Sequence, residues 1–112
     1  VTQLTRDHSV VQSLIESGKL TPEEAVNHPR RNVITRALGI EPDVLVDSDE
    51  YELKDGESLL LCSDGLSNFV RPHEITQIFS KTKTEQIAEE LVNKANKNGG
   101  GDNITAVVVK KG

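Results

Sequence analysis

Two aspartates stand where a β-strand should meet a glycine-containing turn. Asp64 lies in Leu59-Leu60-Leu61-Cys62-Ser63-Asp64-Gly65-Leu66, and Asp102 in Gly99-Gly100-Gly101-Asp102-Asn103-Ile104-Thr105. A strand end fixes a carboxylate, and glycine beside it lets backbone or ligand approach closely, which gives Gly65 a loop-shaping role. Two such acids brought together, with coordination positions left over, meet the needs of a hard divalent cation such as Mg²⁺ or Mn²⁺. Each acid also has a plainer reading. An ionised Asp64 at the end of a buried strand is costly to desolvate, and either a cation or the backbone N–H groups of the following turn would compensate it. A Gly-Gly-Gly-Asp sequence is commonly a flexible connector with its acid in water. Asn103 is expected to shape the loop through side-chain-to-backbone hydrogen bonds.

The elements that must position these acids can be read from period and punctuation. Asp7 or Ser9 can cap a first helix that carries Val10, Val11, Leu14 and Ile15 on one face and ends at Gly18. Thr21-Pro22-Glu23-Glu24 combines an N-cap, a proline at the first helical position and a capping box. That second helix should finish near Asn27, because the residue before Pro29 is pushed out of helical geometry. Val33 to Leu38 reads as extended, and Val44 to Leu53 alternates as a half-buried strand would. Lys54-Asp55-Gly56-Glu57 is a turn. Residues 58–62 are apolar on both faces and predict a central strand buried on both sides. Pro72 starts a helix through about Phe79, and Thr84 caps the longest one, with Ile87, Ala88, Leu91, Val92 and Ala95 at helical spacing. The triple glycine ends it and leads through Asp102 into a β-branched strand over 104–109. Strands and helices in this order suit an α+β fold of antiparallel sheets covered by helices, not a doubly wound parallel sheet.

Composition narrows the function classes. The chain has 112 residues, enough for one small domain, and its three aromatic residues (Tyr51, Phe69, Phe79) leave a thin aliphatic core. A net charge of −5 argues against a nucleic-acid surface. A single cysteine excludes an internal disulfide and suits a reducing, cytoplasmic setting. No apolar run approaches the roughly 20 residues of a membrane span, so no membrane contact is expected in this segment.

The two aspartate turns, in this order and with these flanks, resemble the last two motifs of the type 2C metal-dependent protein serine/threonine phosphatases, the PPM family. Gln3-Leu4-Thr5-Arg6-Asp7-His8-Ser9 and His28-Pro29-Arg30-Arg31-Asn32-Val33-Ile34-Thr35-Arg36-Ala37-Leu38-Gly39 resemble its bacterial branch, with residues 9–32 as the flap-like helical insert between strand segments. The family's first-half motifs are absent: the Arg that holds the substrate phosphate, the Asp-Gly turn that bridges two metals, and a further acidic ligand. The chain also lacks Met and opens in a segment that is mid-domain in the family. The resemblance therefore implies that residues 1–112 are the C-terminal portion of a single phosphatase domain without its N-terminal half. The fold it implies is a β-sandwich of antiparallel sheets flanked by helices on both faces, in four layers (α-β-β-α).

The activity implied is hydrolysis of phosphoserine and phosphothreonine in proteins. Two Mn²⁺ or Mg²⁺ ions about 4 Å apart share a carboxylate and hold a bridging water that attacks phosphorus in line. Asp64 and Asp102 become metal ligands in that reading, and some bacterial members bind a third ion, where Asp64 could also serve. Asn32 falls where flap residues of bacterial relatives approach the metals. His28 is the candidate general acid for the leaving Ser or Thr oxygen, which needs a group titrating near neutrality; the alternative is a loop cap before Pro29. The implied partners are phosphoproteins, substrates of a bacterial Ser/Thr kinase. By itself the chain is expected to be inactive, to bind metal weakly, and to self-associate through exposed sheet edges. The competing class is a non-catalytic regulatory or binding module that keeps the fold; such a module would be expected to have replaced Asp64 or Asp102, and both are present. A cysteine-dependent phosphatase is rejected, because position 68 is Asn where that chemistry needs Arg, and the apolar run predicts a buried, inert Cys62 thiol. Asp47-Ser48-Asp49-Glu50 lacks the Gly and Glu of a calcium loop.

Overall fold

The computed structural model describes residues 1–112, which divide into two units: Thr2–Asp49, and Glu50–Gly112 together with Val1. Within the first unit, helix α1 (Val10–Glu16) starts at Ser9, whose hydroxyl accepts from the Gln12 N–H at 3.2 Å. Helix α2 (Pro22–Ala25) carries the expected reciprocal capping box: Glu24 N–H donates to Thr21 Oγ1 at 3.2 Å, and Thr21 N–H donates to Glu24 Oε1 at 3.0 Å. The helix ends about two residues before the expected Asn27. The extended reading of 33–38 reduces to an isolated antiparallel bridge, Ser9 with Ile34. No residue of α1 or α2 is buried.

The alternation over 44–53 does not produce a strand: no ladder partner lies beside these residues, and an unpaired extended segment is a loop. The turn at 54–57 forms, with Glu57 N–H donating to Lys54 O at 3.0 Å. It leads into strand β1 (Ser58–Cys62), which pairs antiparallel with β2 (Ala106–Lys110), with Leu60 opposite Val108 and Cys62 opposite Ala106. The last strand thus starts two residues after the expected position 104.

Period-two alternation sorts this two-stranded sheet into unlike faces. Leu60, Ala106 and Val108 pack on the core, whereas Leu61 and Val107 on the other face are 53% and 52% exposed. The expectation that 58–62 is buried on both sides therefore fails within this chain. Cys62 is likewise exposed, not buried. The core itself is Leu66, Val70, Ile75, Ile87, Leu91 and Ala95, drawn from the short helix α3 (Asp64–Ser67) and its exit, α4 (Pro72–Lys81) and α5 (Thr84–Lys97). The N-cap of α5 is Lys83, one residue before the expected Thr84. Helix α3 was not expected at all: four residues are too few to show a period.

Candidate metal centre

Asp64 is the first residue of α3, directly after β1 and the N-cap residue Ser63. Its carboxylate is exposed, so the desolvation argument for a compensating cation does not apply to it here. Nor is it the helix cap, since that position belongs to Ser63. At the first turn of a helix the carboxylate sits in the favourable field of the free N–H groups and faces water.

Asp102 reaches the same place from the other strand. Helix α5 closes with Gly100 N–H donating to Ala95 O at 3.0 Å, with Gly99 and Gly100 at φ +135° and +52°. Only glycine takes both values without strain. The Phe69 ring lies against this segment so closely that a Cβ on Gly99 or Gly101 would stand 3.1 Å from it. Asn98 Nδ2 donates to Phe69 O at 2.8 Å and to Glu74 Oε2 at 3.2 Å. The Glu74 carboxyl lies below its ordinary range because it accepts from the Arg71 N–H, then from Asn98, with Lys94 at 3.3 Å as a further contributor. The triple glycine is thus not a loose connector but a clamped one.

The two turns interlock. A Cβ on Gly65 would stand 2.0 Å from the Asn103 carbonyl oxygen and 3.5 Å from the Asp102 carbonyl carbon, so only glycine permits this approach. Ser63 N–H donates to Thr105 O at 3.0 Å, and Thr105 N–H donates to Ser63 Oγ at 3.0 Å. The Ser63 hydroxyl in turn donates to Asn103 O at 3.3 Å. Asn103 N–H donates to Asp102 Oδ1 at 2.7 Å, which orients that exposed carboxylate. Asn103 therefore acts through its backbone, where side-chain hydrogen bonds were expected. Ser63, Phe69 and Asn98 were not singled out from sequence.

His28 and Asn32 belong to the Thr2–Asp49 unit. His28 is half-buried, and its Nδ1 accepts from the Arg30 N–H at 3.0 Å. That bond is the loop cap, and it fixes the neutral ring as the Nε2–H tautomer. Asn32 is exposed in the following turn.

Exposed carboxylate oxygens on two interlocked turns suit Mn²⁺ or Mg²⁺ in kind. They supply two ligands toward about six, and no three His, Cys, Asp or Glu side chains gather closely enough to hold a metal by themselves.

No protein-family model matches the chain. The serine/threonine phosphatase stp of Listeria monocytogenes is 44% identical to it over 110 residues, covering 97% of this chain and 44% of the Listeria protein. The crystal structure of serine/threonine phosphatase Stp1 from Staphylococcus aureus matches it with a TM-score of 0.90 at 39% identity, over 96% of this chain and 42% of that one. The chain belongs to the PPM serine/threonine phosphatases. Its α+β structure, with one two-stranded antiparallel sheet, matches part of the PPM phosphatase fold, and it spans less than half the length of these relatives. The catalytic domain of the PPM relative PstP, solved in complex with two manganese ions, matches with a TM-score of 0.76 at 38% identity, over 96% of this chain and 44% of that domain.

Proposed function

We propose that this chain is the C-terminal portion of a PPM phosphatase domain that hydrolyses phosphoserine and phosphothreonine in proteins, and that Asp64 and Asp102 bind its divalent ions. The observation that carries this reading is the interlock of the two aspartate turns through Gly65, Ser63 and the Asn103 peptide. The pairing of β1 with β2 brings the two turns side by side, and Gly65 and Ser63 let them lock together. The manganese in the PstP neighbour supports the choice of metal. The remaining ligands and the group that holds the phosphate come from chain outside these 112 residues.

Bound there, divalent ions supply Lewis-acid activation of water toward phosphorus. The chain's own residues do the positioning. Asp64 and Asp102 offer monodentate or bidentate oxygens, the Asn103 N–H fixes the direction of one of them, and Gly65 keeps the turns in contact. His28 is the proposed donor of a proton to the leaving alcohol oxygen; it can serve only as the imidazolium, which carries a proton on Nδ1 and must first release the Arg30 N–H bond. His28→Gln should then slow hydrolysis of a phosphothreonine peptide and spare p-nitrophenyl phosphate, whose leaving group needs no proton. The substrates in this reading are cytoplasmic phosphoproteins made by a bacterial Ser/Thr kinase. No helix is long and apolar enough to cross a membrane.

The test is Mn²⁺-dependent release of phosphate from a phosphothreonine peptide by the complete domain, with and without Asp64→Asn, beside this chain alone. Activity only in the unaltered complete domain is expected. An inactive complete domain would favour the non-catalytic module instead. Activity in this chain alone would mean that ligands come from elsewhere in it.

A further inference from the structure

Serine before a helix ordinarily turns its hydroxyl onto the N–H groups of the first turn. Ser63 does not. It stands at the N-cap of α3 with no side-chain cap bond, and its hydroxyl bridges instead to residues forty or more positions away. It accepts from Thr105 N–H at 3.0 Å and donates to Asn103 O at 3.3 Å. The backbone of Ser63 adds a third link, its N–H donating to Thr105 O at 3.0 Å, one step beyond the Cys62–Ala106 pair that ends the sheet.

Two of these bonds go to Thr105, and the third joins the residue before Asp64 to the residue after Asp102. The Asn103 carbonyl is held between the Ser63 hydroxyl and Gly65, and the Asn103 N–H holds Asp102 Oδ1 at 2.7 Å. A four-residue helix and a glycine-rich loop have little stiffness of their own, so a hydroxyl bridge at the point where they meet limits how far the two carboxylates can separate. We infer that Ser63 is a positioning residue that sets the spacing and direction of Asp64 and Asp102, and with them the affinity for divalent cations. This rests on the reading of those two acids as metal ligands. Ser63 itself touches no metal; it works as hydrogen-bond partners around metal ligands do, where loss of one partner commonly weakens binding 10–100-fold.

The experiment uses the complete domain, Mn²⁺ binding followed by titration calorimetry, and thermal unfolding in EDTA. Ser63→Ala should raise the Mn²⁺ dissociation constant by about tenfold and speed hydrogen exchange at the Thr105 amide. Ser63→Thr, which keeps the hydroxyl, should recover most of that affinity. Unchanged Mn²⁺ affinity in Ser63→Ala would overturn the inference, as would a loss that Ser63→Thr does not restore. If Ser63→Ala does not fold, Ser63→Cys, near-isosteric but a weak hydrogen-bonding partner, must show the same weakening; failure of both to fold would assign Ser63 a purely structural role and overturn the inference as well. Asp64→Asn separates the two levels. If it leaves Mn²⁺ binding intact, the ligand reading itself fails; if it abolishes binding while Ser63→Ala does nothing, only the role of Ser63 fails.

Discussion

Residues 50–112 hold together around buried carbon, whereas residues 2–49 hold together by hydrogen bonds and ion pairs at the surface. In the first region Leu66 and Leu91 are fully buried, and α3, α4, α5 and one sheet face converge on them. In the second no helix buries a residue. Arg6 instead grips Glu16 with two bonds of 2.7 and 2.8 Å, and Asp47 takes Arg36 at 2.8 Å and His8 at 2.6 Å. Exposed ion pairs contribute little each because water screens them and the side chains lose freedom. A buried leucine contributes more because it cannot be replaced by solvent without leaving a cavity. The aspartate turns lie in the region with the core. If Asp64 and Asp102 are metal ligands, as proposed, positions that must be held to fractions of an ångström have that kind of support.

The sharpest way to break this comparison is to truncate matched side chains. Leu91→Ala should destabilise the Glu50–Gly112 region by about 2–5 kcal/mol, read as loss of amide protection along α5. Leu14→Ala, in the half-buried face of α1, should cost clearly less by the same measurement. Equal losses would mean that Thr2–Asp49 is held by a buried core of its own. Next in size is Gly65→Ala. Its new methyl would meet the Asn103 carbonyl at 2.0 Å, and because that atom is backbone, no side chain can swing away. A cost of about 1–3 kcal/mol is expected, with amide chemical-shift changes concentrated at residues 102–105. Shifts confined to residues 64–68 would show that the two turns are not in contact in solution. Smaller again is Thr21→Ala, which removes one half of the capping box and should cost about 1 kcal/mol, visible as faster exchange of the Glu24 amide.

Much of this was legible in the sequence, and the pattern of what was not has a physical cause. The capping box at Thr21, the turn at 54–57 and the bounds of β1 depend on neighbours within four residues, and each is where local chemistry places it. The alternating run Val44–Leu53 has the right period for a strand but finds no ladder, and period says nothing about whether a partner exists. Both faces of β1 are apolar, which predicts burial on both sides, but only one meets a core in this chain, through Leu60, while Leu61 faces outward. At the candidate site, the two aspartates and Gly65 were visible because their types and spacing are distinctive. Ser63 was not, because its partners Asn103 and Thr105 are set by the pairing of β1 with β2 and not by anything beside it in the chain.

Acid offers the gentlest test of the comparison, because it acts on the ion pairs and not on the core. The hydrogen bond from Arg6, and then one from Gln12, hold the Glu16 carboxyl down at about 2 against an ordinary value of 4.5. Asp47 is lowered in the same direction, by Arg36 first and His8 second. A carboxylate whose folded pKa is depressed stabilises the fold above its unfolded pKa, and that contribution disappears as pH falls toward the folded value. The contacts within Thr2–Asp49 should therefore weaken between about pH 4.5 and pH 2. Through the same range Glu74, also lowered, should loosen its ties to Asn98 and Lys94, whereas the methyl resonances of Leu66 and Leu91 should move less, since nothing that titrates stands among the buried residues. Carbon-detected NMR of the Glu16 carboxyl gives the direct readout. A midpoint near 2 means that the Arg6 pair persists in solution, whereas a midpoint at the ordinary 4.5 would show that this pair is not formed and that the region is held without it, by the Asp47 pairs, the caps and the Ser9–Ile34 bridge.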